Sequence, residues 1–180
     1  MGRSFLLTTH RCKHVQFLWF YFASQREASA KEFLDTFTSI AFDPHKPKPV
    51  QITSAAYVGS FLARGLAIPT RVVQASIVAI SEYLLDYIRV HAHHQERFSP
   101  DVHRHVGFYA LSQTLLYALC FLFPYLDEDF LVRLELDQIV RSSLNPLMVT
   151  LPTVRDEFVR LSEYFGVLNC ADVVHRNRRL

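Results

Sequence analysis

The chain has 180 residues, 50% of them hydrophobic and 13% aromatic, with only 20% charged. That composition excludes a disordered chain, and the length suits one domain that buries roughly 70% of its unfolded surface. The net charge of +2 is split as 10 Lys/Arg against 6 Asp/Glu in residues 1–90 and 9 against 11 in residues 91–180, too mild an asymmetry to predict a nucleic-acid partner. A mean hydropathy of +0.11 is high for a chain of this size and implies helices buried on more than one side, or a chain that is part of something larger.

Taken in order, the elements read as helices. After MGRSFLLTTHRCK comes HVQFLWFYFAS, His14 to Ser24, apolar on nearly every side. Ser29 with Glu32 three residues later predicts a capping box ahead of FLDTFTSIAF. DPHKPKPVQ then carries Pro44, Pro47 and Pro49 and is expected to be an irregular linker. AAYVGSFLARGLAIP, Ala55 to Pro69, reads as a tightly packed inner helix. Gly59 would let a neighbour approach, Arg64 sits at the negative end of the dipole, and Gly65 would cap it.

Pro69 is expected in the first turn of the next helix, with Val73, Ile77, Ile80, Leu84 and Tyr87 on one face. The polar run HAHHQERFSPD breaks it, and a further helix is predicted from about His103 to Phe123, ended by Pro124. The acidic segment LDEDFLVRLELDQIVRSSL leads to a break at Asn145-Pro146. Pro152 opens a helix with Val154, Phe158, Leu161 and Phe165 on one face and Gly166 as its stop, and NCADVVHRNRRL closes the chain as a short helix with a basic end. No hairpin turn or sustained period-two alternation appears. Six or seven helices of 10–20 residues with proline-bearing turns predict an all-α fold, an α-solenoid in preference to a closed bundle.

The chemistry-bearing residues form no catalytic pattern. His91, His93, His94, His103 and His105 invite a metal reading, but no carboxylate falls at matching spacing and HEXXH is absent. Cys12, Cys120 and Cys170 are odd in number and scattered, and Cys120 reads as a small core residue. Asp127, Glu128 and Asp129 are placed as acidic residues drawn to a helix N-terminus. There is no glycine-rich phosphate loop and no nucleophile beside a base, so no enzyme, cofactor, metal or small-molecule substrate is predicted. The most apolar runs, Val15 to Ala23 and Leu115 to Phe123, each span nine residues against the roughly 20 needed to cross a bilayer, and no membrane segment is expected. Arg176, Arg178 and Arg179 are the only cationic cluster and do not decide whether nucleic acid is touched directly.

Several blocks in the same order resemble the RNA polymerase I-specific transcription initiation factor family, TIF-IA in mammals. They are HVQFLWFYFAS, AAYVGSFLARGLAIP, GFYALSQTLLYALCF (Gly107 to Phe121), LNPLMVTLP (Leu144 to Pro152) and HRNRR, where His175 replaces the usual acidic residue. The matching positions are Tyr57, Gly59, Ser60, Phe61, Leu62, Arg64, Tyr109, Gln113, Asn145 and Pro146, all expected to be structural. The resemblance implies a HEAT-repeat α-solenoid over residues 13–180, with 1–12 as an unmatched N-terminal segment. It also implies a nuclear and nucleolar, non-enzymatic adaptor that binds RNA polymerase I and links it to promoter-bound factors. The alternative is a helical-repeat interaction scaffold or degenerate paralogue without polymerase binding. Family members are several times longer, so a fragment or short paralogue is expected. An opened solenoid should present an apolar end face and self-associate.

Overall fold

The computed structural model describes residues 13–64, 68–91 and 100–179, which fold into ten α-helices and one 3-10 turn with no strand among them. Six helices are long. They are α1 (Lys13–Ser24), α2 (Glu27–Phe42), α3 (Lys48–Ala63), α4 (Thr70–His91), α5 (Val106–Leu122) and α9 (Pro152–Tyr164). Four short ones, α6 (Glu128–Arg133), α7 (Leu136–Arg141), α8 (Pro146–Val149) and α10 (Ala171–Asn177), take up the acidic segment and the proline breaks.

The packing is that of stacked helical hairpins. In one layer α3 lies along α5, and α5 along α9; in the other, α2 meets α4 and α4 meets α7. The layers join where α2 packs on α3 and α4 on α5. Such an array needs its middle helices apolar on several sides, because each faces a neighbour on both flanks and a partner beneath. The chain is therefore an all-α, α-solenoid-type fold, as the helix pattern predicts. The expected face of α4 is realised, with Val73, Ile77, Ile80 and Leu84 buried and Tyr87 packed at the edge of the core.

Some boundaries differ from expectation for local physical reasons. The capping box does not form: α2 starts two residues before Ser29, with Arg26 extended at its N-cap and no side-chain cap bond. The first turn closes instead through Ala30 N–H to the Arg26 carbonyl, and Glu27 reaches Arg71 on α4. Pro49 lies within the first turn of α3 rather than in the linker, because a first-turn nitrogen has no helical carbonyl to bond. Pro69 precedes its helix, its carbonyl accepting from Val72 and Val73. The helix expected from His103 begins at Val106, and Pro124 sits inside the 3-10 turn Phe123–Tyr125. Gly166 does stop α9, at φ +68°, with Val167 N–H returning to the Ser162 carbonyl at 2.8 Å. Gly65 lies outside the described residues.

By length and composition alone, Val106–Tyr125 could cross a membrane, a longer apolar stretch than the nine-residue run suggests. It is the central helix of the array, however, with 61% of that stretch buried within the protein, and burial accounts for its apolar character.

At the other end, α1 buries Phe20 and Ala23, while Phe17, Leu18, Trp19, Tyr21 and Phe22 are 38% to 61% exposed. Five exposed apolar residues within six consecutive positions of one helix exceed ordinary surface scatter. Light scattering coupled to size-exclusion chromatography should show a mass that rises with concentration, and a Tyr21→Gln, Phe22→Gln variant should elute as a monomer. A monodisperse monomer for the unaltered chain at high concentration would contradict this.

Candidate functional site

The residues singled out from the sequence converge on two places. The first is the crossing of α3 and α5. Gly59 lies against Thr114, and a Cβ built on it would sit 3.3 Å from the Thr114 methyl carbon. Thr114 Oγ1 in turn donates to the Ala55 carbonyl at 2.9 Å, one turn earlier on α3. The absent side chain thus permits the backbone approach that the hydrogen bond requires. Tyr57, Phe61 and Leu62 are buried beside it, with Phe61 5.3 Å from the Phe20 ring and 4.6 Å from Phe33. Burial pushes the Tyr57 phenol pKa up. Ser60 is half-buried, and its carbonyl accepts from Arg64 Nη1 at 2.9 Å. Arg64 is exposed at the C-cap and stacks its guanidinium 5.1 Å from the Phe17 ring centroid.

The second place is the turn around α8. Tyr109 donates its hydroxyl to the Leu144 carbonyl at 2.8 Å, and Gln113 Oε1, one turn along α5, accepts from Leu151 N–H at 3.0 Å. Between those anchors Asn145 is fully buried at φ 50°, a left-handed conformation that Asn tolerates better than most residues. Its side chain exchanges amide bonds with Asn177 of α10, 2.8 Å one way and 3.0 Å the other. Pro146 opens α8, its carbonyl closing the turn on Thr150. Positions 109, 113 and 145 therefore act as one clamp that binds the Leu144–Leu151 turn to α5 and to the C-terminal helix.

Other polar anchors escape a reading by motif. Gln51, 3% exposed, donates to the Asp43 and Lys46 carbonyls and so ties the proline linker to α3. Ser81 Oγ donates to Leu134 O at 2.5 Å. Arg141 holds Asp137, Asp172 and the Asn169 carbonyl together. The available signal is a polar residue inside an otherwise apolar helical run, as in LSQTLLYALC.

Of the histidines, His93 and His94 lie outside the described residues, and His103 is exposed in the turn before α5. His91 and His105 have ring centroids 5.8 Å apart, and His105 Nδ1 is 2.8 Å from the Tyr87 hydroxyl. Among the described residues no three His, Cys, Asp or Glu side chains are placed to hold a metal ion. Burial, with Glu157 nearby, pushes the Cys120 thiol up to about 12, and burial also raises Cys170. Neither carries the thiolate that nucleophilic chemistry needs. Cys12 is outside the described residues. In the acidic trio, Asp127 caps α6 by accepting from Phe130 N–H at 2.7 Å, with Glu128 and Asp129 in the first turn.

Two sets of measurements check this geometry. In urea unfolding, Gly59→Ala should stay within about 1 kcal/mol of the parent, because helix propensity offsets the tight contact. Gly59→Leu should cost about 1–3 kcal/mol by overpacking. Asn145→Ala should cost about 2–4 kcal/mol, losing the amide pair and leaving alanine at positive φ, and should exceed Asn177→Ala, which loses the pair alone.

The other concerns His105, only 4% exposed, whose pKa is lowered by burial first and then by Arg104 and His91, against a smaller opposing effect of Asp101. A neutral ring protonated at Nε2 accepts from Tyr87. The unfolded chain takes up the proton first, so this contribution is complete above an unfolded pKa of about 6.5 and is lost as pH falls below it. The urea midpoint should drop between about pH 7.5 and 5.5, and His105→Gln should flatten that dependence.

Known proteins share this fold. The family model of "RNA polymerase I specific transcription initiation factor RRN3" matches residues 3–180, which takes in most of the N-terminal segment set apart above. RNA polymerase I-specific transcription initiation factor RRN3 of Mus musculus is 31% identical over 181 residues, covering 97% of this chain and 27% of the mouse protein. The Schizosaccharomyces pombe protein rrn3 is 28% identical over 189 residues, covering 97% of this chain and 31% of its own length. The crystal structure of RNA polymerase I transcription initiation factor Rrn3 superposes with a TM-score of 0.77 at 24% identity, over 98% of this chain and 39% of that one, and shows the same fold. This chain spans under a third of the length of these two curated relatives. With a family match over nearly its whole length, the chain belongs to the RNA polymerase I-specific transcription initiation factor RRN3 family.

Proposed function

We propose that this chain is a helical-repeat portion of an RNA polymerase I-specific transcription initiation factor, acting in the nucleus and nucleolus. It binds RNA polymerase I and helps link it to promoter-bound factors for ribosomal RNA gene transcription. The role is non-enzymatic and needs no cofactor. The observation that carries this reading is the family match over residues 3–180. The geometry supports it, since Tyr109, Gln113, Thr114 and Asn145 spend their polar atoms on joining helices to one another. We also propose that the ten signature positions are structural and keep the solenoid rigid enough to present a surface.

The test is direct binding of the purified chain to purified RNA polymerase I, with RNA polymerase II as the comparison, followed by addition of promoter-bound factors on a ribosomal RNA gene promoter. Selective retention of polymerase I, and recruitment of both to the template, is expected. A folded chain that retains neither polymerase would replace this reading with that of a scaffold lacking polymerase binding.

A further inference from the structure

We draw no further inference here: the strongest candidate, the exposed aromatic face of α1 made by Phe17, Leu18, Trp19, Tyr21 and Phe22, carries nothing beyond the self-association predicted above, since nothing in the structure shows what else covers it.

Discussion

The close approach of α3 and α5 is the constraint around which the array is arranged. Gly59 against Thr114 sets the distance, and the Thr114 hydroxyl on the Ala55 carbonyl sets the register. Apolar packing alone would tolerate a slide along either helix, since one leucine contact resembles the next. A buried hydroxyl that must find one carbonyl does not tolerate it, because the misregistered state leaves a polar group without water or partner. With this pair placed, α2 is positioned on the outer side of α3, and α4 and α9 on two sides of α5.

The same device recurs at three places where the chain leaves helical geometry. Gln51 ties down the proline linker, Ser81 the junction between α6 and α7, and Tyr109, Gln113 and Asn145 the turn around α8. Each bonds main-chain groups that a broken helix leaves over, or, as with Asn145 and Asn177, joins two segments side chain to side chain. These polar core residues serve rigidity, and a rigid solenoid can present an extended surface without an ordering cost when a partner arrives.

Helix content and the apolar faces could be read from the sequence because both are local. The spacing of Val73, Ile77, Ile80 and Leu84 reports which side of α4 is buried, and Pro152 and Gly166 mark where α9 begins and ends whatever packs on it. The capping box at Ser29 was misleading, since a start signal of modest energy yields to a longer helix whose first residue, Glu27, meets Arg71 across a gap of 44 residues. The blocks that resemble the family were visible as wording, but their purpose was not. Nothing at position 113 announces that it accepts from residue 151.

By itself, then, the sequence determined an all-α chain with several-sided apolar helices and a family resemblance spread over nearly its whole length. Periodicity, turn residues and composition act through neighbours a few residues apart, and so they survive without a fold. The tertiary structure decided that Gly59 faces Thr114 and that Asn145 exchanges amides with Asn177. Those outcomes depend on pairs brought together from 32 to 55 residues apart. Such pairings arise only when hydrophobic burial brings distant helices together and their polar groups must then be satisfied within the fold.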